Sequence, residues 1–211
     1  MTDRERVRTI IRRLKKEYAG TPLTALEFRT PFELLIATML SAQTTDKQVN
    51  KVTPGLFRKY RSVATFAQAK PEAIARDINS INFFNNKARH IRKTAAMIIE
   101  RHNGSVPRTM EELVDLPGVA RKTANIVLSS GFGINVGIAV DTHVKRLSAL
   151  LGLTRQTDPV RIEQDLMAVT SPKEWANISH LLIYHGRAVC QARKPAHEAC
   201  VLRDICPSAP R

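Results

Sequence analysis

Cysteine is scarce in this chain: Cys190, Cys200 and Cys206 are the only ones among 211 residues, and all fall close to the C-terminal end. An odd count gathered in one place excludes a disulfide framework, which needs paired cysteines and an oxidising compartment, and points first to metal. Acidic residues are also few, 19 against 33 lysines and arginines, so the formal net charge is +14. That balance makes an extended polyanion the first partner to test, with acidic lipids or plain solubility as the competing explanations. Long apolar runs are missing too. No stretch approaches the roughly 20 residues needed to span a bilayer, and no signal-peptide core follows Met1, so a cytoplasmic protein without a membrane partner is expected.

Also absent are any sustained apolar/polar alternation that would make a strand, any low-complexity linker and any repeat. With 43% hydrophobic residues the chain can bury one core or two small lobes sharing a cleft. What remains is helical signal from end to end, and the fold class expected is all-α. The opening TDRERVRTIIRRLKKEY places Val7, Ile10, Ile11, Leu14 and Tyr18 on one face. It is basic like a mitochondrial presequence, but Asp3, Glu5 and Glu17 argue against that. Phe32, Leu35, Ile36, Met39 and Leu40 form a second stripe, and Ile91, Ala95, Ile98 and Ile99 a third; all are expected in the core. Gly104 suits a helix stop, as does Gly152, and Thr109 with Glu112 reads as a capping box. Asp141 precedes a helix, and Asp158-Pro159 and Ser171-Pro172 start two more, the latter with Glu174 placed as in a capping box.

The segment from Leu113 through LPGVA to RKTANIVL reads as a helix, a Pro-Gly turn and a second helix. Pro117 fixes its own φ, and Gly118 can take a positive φ that side chains resist. Such a turn points backbone N–H groups outward at a helix N-terminus, where a phosphate fits without any reading of base sequence. Lys122 follows in the first helical turn beside Arg121. A lysine nucleophile must lose its proton, and a helix N-terminus, a neighbouring guanidinium and partial burial all disfavour the ammonium form. Lys122 is therefore either a Schiff-base nucleophile or an exposed phosphate-binding cation. Between Asp115 and Asp158 the sole acid is Asp141, in AVDTHVKRL. It is suited to capping the helix that follows, and capping would also keep it ionised for work beside a developing cation.

LPGVARKTA resembles the helix-hairpin-helix of the endonuclease III family of DNA glycosylases, with Ala120 where the family usually has a second glycine. The resemblance runs from PFELLIATMLSAQTTD through VDTHV to the C-terminal ligands. It implies a base-excision-repair glycosylase with AP lyase activity on oxidised pyrimidines in double-stranded DNA, with Lys122 and Asp141 as the catalytic pair. Leu116, Gly118 and Ala120 would bind DNA through the hairpin, and Gln43 of SAQTTD would fill the space left by an extruded base. Phe83 of INFFNNKA stands as the intercalating wedge where leucine is often found, with a core aromatic as the alternative. His143 either contacts DNA or packs within the fold. The family ends in four cysteines spaced C-x6-C-x2-C-x5-C around a [4Fe-4S] cluster; here Cys190, Cys200 and Cys206 keep register and His197 takes the second place. A cluster with Cys3His ligation is expected, with a three-iron cluster, zinc or no metal as rivals. The loop between the first two ligands would present Arg193 and Lys194 to phosphate.

The domain reading that follows is a six-helix barrel over residues 25–135, including the hairpin at about 113–128, and a cluster lobe from 1–24 with 136–211. DNA is expected in the cleft between the lobes, bound by a monomer. An adenine glycosylase relative and a non-catalytic hairpin DNA-binding protein are the competing functions.

Overall fold

The computed structural model describes residues 2–210. Among the described residues there are 11 α-helices and no strand. They are α1 (Asp3–Glu17), α2 (Pro31–Ser41), α3 (Asp46–Lys59), α4 (Val63–Gln68), α5 (Pro71–Asp77), α6 (Phe84–His102), α7 (Met110–Asp115), α8 (Arg121–Ile126), α9 (Thr142–Leu150), α10 (Pro159–Val169) and α11 (Trp175–Ala188). The chain divides into two compact units, one spanning residues 24–134 and the other joining the residues up to Leu23 with those from Asn135 onward.

In the first unit α6 packs on α4 and α5, and α2 packs on α3, α6 and α8. Leu34, Leu35, Ile36 and Leu40 of α2 are fully enclosed, as are Ile91, Ala95 and Ile98 of α6. Ile99 is 41% exposed, contrary to expectation. One further step of about 100° carries it off the buried face. Phe66 lies at the aromatic centre of this core, with the Tyr60 ring centroid 4.9 Å away and that of Phe32 5.5 Å away.

In the second unit α11 packs on α1 and α9, and α10 packs on α1 and α9. Val7, Ile10, Ile11 and Leu14 of α1 are buried, and Tyr18 caps the end of that helix. Several sequence stop and start signals act as their chemistry dictates. The Thr109 hydroxyl accepts from the Glu112 N–H and donates to the Glu112 carboxylate, so the cap forms without the reciprocal backbone bond of the expected capping box; the Asp158 carboxylate accepts from the N–H groups of Val160 and Arg161, and Gly104 and Gly152 take positive φ. Ser171 makes no side-chain cap. Pro172–Glu174 instead form a 3₁₀ turn, and Glu174 accepts from Lys15 and Asn177 rather than closing a capping box.

Candidate active site and nucleic-acid contacts

The hairpin is built from α7, the turn Leu116–Ala120 and α8. The Val119 N–H donates to the Leu116 carbonyl at 3.1 Å, and the Thr94 hydroxyl of α6 donates to the Pro117 carbonyl at 2.8 Å. Gly118 has φ +79°, and a Cβ there would lie 2.8 Å from His90 Nδ1. Glycine is thus required twice, by conformation and by the packing of His90. Leu116, expected to bind DNA, is buried, and its N–H donates to the Leu113 carbonyl at 3.2 Å while its own carbonyl accepts from Val119, so its groups serve the turn itself. Ala120 is extended, exposed and the N-cap of α8, with no side-chain bond to the helix start.

Lys122 lies in the first turn of α8 and is exposed rather than partly buried. The helix is short and continues as a π-helical turn, Val127–Gly131. Ala124, Asn125, Val127 and Leu128 face the core and Lys122 faces away. The protein by itself therefore does not supply the expected burial.

Asp141 belongs to the other unit and caps α9, its Oδ1 accepting from the Val144 N–H at 2.8 Å. The extended segment leading to it is fixed from two sides. Glu163 of α10, buried, accepts from the Ile138 N–H at 3.1 Å, and the Ser179 hydroxyl of α11 donates to the Ala139 carbonyl at 2.7 Å. His143 is half-buried in the first turn of α9, two residues on, and packs beside Gly186 of α11, where a Cβ would lie 2.8 Å from its Nδ1. Glu163 and Ser179 carry no signature in the sequence, because a long-range bond to backbone leaves no local spacing.

Gln43 and Phe83 occupy neighbouring turns of the first unit. Gln43 has φ +55° and Phe83 has φ +58°, the left-handed region that non-glycine residues seldom adopt. Phe83 is 61% exposed, which removes the core-aromatic alternative. The two turns are joined: the Asn82 side-chain amide donates to the Gln43 carbonyl, and the Asn82 N–H to Thr44 Oγ1 at 3.3 Å.

Cys190, His197, Cys200 and Cys206 all line one cavity of about 270 Å³ in the second unit. Among the described residues no three His, Cys, Asp or Glu side chains converge as the ligands of a single metal ion do. The space suits a group larger than one ion, and the donor set of three thiols and an imidazole suits iron. Around it, Arg146 Nη1 donates to the Cys190 carbonyl at 2.6 Å. His185 Nε2 lies 3.4 Å from Cys200 Sγ, with its Nδ1 3.0 Å from the Tyr18 hydroxyl. Burial pulls the His185 imidazole down to about 4 and pushes the Cys200 thiol up. Arg193 and Lys194 are exposed on the loop that rims the cavity.

Residues 36–172 match the HhH-GPD superfamily base excision DNA repair protein model, and residues 190–206 match the iron-sulfur binding domain of endonuclease III. The endonuclease III of Synechocystis sp. is 52% identical over 206 residues, covering 98% of this chain and 94% of the relative. That of Escherichia coli K12 is 41% identical over 185 residues, covering 88% and 87%. The chain belongs to the endonuclease III family. A structure of a trapped endonuclease III–DNA covalent intermediate superposes with a TM-score of 0.92 at 42% identity, covering 99% of this chain and 97% of the other. A non-covalent endonuclease III–DNA complex superposes equally well, so the endonuclease III fold is that of this chain. Members of the family are helix-hairpin-helix repair proteins, and the match at 190–206 contains Cys190, Cys200 and Cys206.

Proposed function

We propose that this chain excises oxidised pyrimidines from duplex DNA and then cuts the strand at the abasic site through a lysine Schiff base. One observation carries the reading: a lysine in the first turn of α8, directly after the hairpin turn, occurs with a carboxylate fixed as the N-cap of α9, at the two positions the family motif assigns to catalysis. The solved covalent endonuclease III–DNA intermediate supports it by similarity.

The damaged nucleotide is extruded, a step that costs a few kcal/mol and is easiest for poorly stacked bases. Gln43 and Phe83 fill the vacated space. The backbone N–H groups of Gly118 and Ala120 hold phosphate, and His143, Arg193 and Lys194 add contacts. Lys122 Nζ attacks C1′ as the N-glycosidic bond breaks and the base departs with the electron pair and a proton. Asp141 stabilises the cationic sugar and helps take the proton from the amine. The C1′–O4′ bond of the resulting aminal then breaks, O4′ takes up a proton and the sugar ring opens to an iminium that acidifies C2′; loss of the C2′ proton expels the 3′ phosphate by breaking the C3′–O bond, and hydrolysis of the imine returns the free lysine. Residues 25–135 then form the domain carrying hairpin and lysine, and 1–24 with 136–211 the domain carrying Asp141 and the metal ligands.

Cys190, His197, Cys200 and Cys206 hold a [4Fe-4S] cluster in this reading. The cluster braces the loop that carries Arg193 and Lys194, and neither bond-breaking step uses it. Iron and sulfide analysis of anaerobically prepared protein tests this: iron with matching sulfide supports the cluster, and zinc or no metal refutes it. The protein works in the cytoplasm, on nucleoid DNA, as a monomer. Among the described residues no helix is long and apolar enough to cross a membrane. A panel of duplexes, each with one oxidised base, tests the substrate class: cleavage at thymine glycol with a 3′ unsaturated aldehyde supports it, and cleavage at none of the oxidised pyrimidines contradicts it.

A further inference from the structure

Lys87 is a buried cation at an unfavourable place in its own helix. It lies in the opening turns of α6, near the positive end of the helix dipole, and burial pulls its ammonium down to about 8. A methionine or leucine would fill the volume without either cost. What a hydrocarbon cannot do is donate. Lys87 Nζ donates to the Leu40 carbonyl at 2.7 Å, to the Ala42 carbonyl at 2.6 Å and to Thr44 Oγ1 at 3.3 Å. The first two are carbonyls at the C-terminal end of α2, where intrahelical partners run out and the dipole is negative. One ammonium thus ties the end of α2 to the start of α6.

Those are the ends that carry the two left-handed residues. Gln43 stands between Ala42 and Thr44, and Phe83 is the N-cap of α6, whose carbonyl accepts the Lys87 N–H at 3.1 Å. Asn82 adds its bonds to the Gln43 carbonyl and Thr44 Oγ1, and Gln48 Nε2 donates to Ser80 Oγ at 2.8 Å. A left-handed conformation is unfavourable for a residue with a side chain, and it persists only where surrounding bonds over-determine it.

We propose that Lys87 is a positioning residue that clamps the Ala42–Thr44 turn to the Asn82–Phe83 turn, so that Gln43 and Phe83 enter the duplex as one rigid two-pronged unit. The inference rests on the reading that these two side chains enter DNA. Its energetic logic is preorganisation: the strain and loop ordering are met during folding rather than at the moment the helix is opened.

The test compares one lesion in two settings, a thymine glycol within a paired duplex and the same base in an unpaired bubble that is already open. Single-turnover excision is measured for the full-length parent, Lys87→Met, Asn82→Ala, Gln43→Ala and Phe83→Ala, with 2-aminopurine beside the lesion reporting extrusion. Lys87→Met is expected to slow excision and the fluorescence rise on the paired duplex about tenfold, with the bubble rate restored to within about twofold of the parent. A general folding defect would slow both. Equal slowing on the two substrates, or no slowing on either, overturns the clamp. Should Lys87→Met fail to fold, exposed Asn82 carries the same test, since its loss cuts the cross-turn bonds without emptying a buried site. If Gln43→Ala and Phe83→Ala also leave the paired rate unchanged, the reading of the two turns falls along with the clamp. If they slow it while Lys87→Met does not, only the clamp falls.

Discussion

Gly118 carries two demands that no other residue meets, a φ of +79° and contact with His90 at the place where a Cβ would stand. Gly118→Ala is expected to cost ~1–2 kcal/mol of stability and to weaken DNA binding, because the turn that presents the backbone donors shifts; urea unfolding and a binding titration on abasic-analogue duplex check this. Asp141→Asn keeps a capping oxygen but loses the charge. Base excision is expected to fall more than strand scission at a preformed abasic site, and equal loss of both would count against its place beside the cationic sugar. The chemistry of single residues was partly legible in the sequence. Pro117-Gly118 announced the turn, and Asp141 before Thr-His-Val announced a cap, because both act on backbone within four residues. The exposure of Lys122 was not legible, since it depends on which face of a very short helix meets the core. Nor were the left-handed Gln43 and Phe83, since composition gives no warning of strain at a residue with a side chain.

At the scale of elements, α9 delivers Asp141 only because α10 and α11 grip the segment before it. Glu163→Ala and Ser179→Ala should each lower excision about tenfold or more, if loss of one buried bond is felt as misplacement of the carboxylate. Unchanged single-turnover rates in both would show the grip to be idle. The α1–α11 region contains a second buried group, His180, hydrogen-bonded to Thr21 Oγ1 at 3.0 Å. Burial holds its imidazole below the ordinary value of 6.5, so the unfolded chain takes up a proton there before the folded one does. Stability is therefore expected to fall as pH drops below about 6.5, and His180→Asn should flatten that limb by at most about 1.4 kcal/mol per pH unit. Unfolding titrations at a series of pH values read it directly. Helix starts marked by Thr109, Asp141 and Asp158 were legible from local chemistry. Ser171 was not, because Glu174 is claimed by Lys15, 159 residues away in the chain.

For the molecule as a whole, the all-α class followed from missing strand patterns and recurrent helical stripes. The nucleic-acid partner followed from a charge of +14 and the hairpin together. What the sequence left open was tertiary. Lys87, Asn82, Glu163 and Ser179 act through bonds that join residues 25 to 47 positions apart, and no spacing rule encodes them. If Arg193 and Lys194 meet phosphate, replacing each by alanine should reduce the slope of log affinity against log salt by about 1 without changing which lesion is preferred. Borohydride reduction during reaction with duplex containing an abasic site should yield a protein–DNA adduct whose peptide map places the sugar on Lys122 and which is lost in Lys122→Ala. An adduct on another residue, or none with the parent protein, would contradict a Schiff base at Lys122.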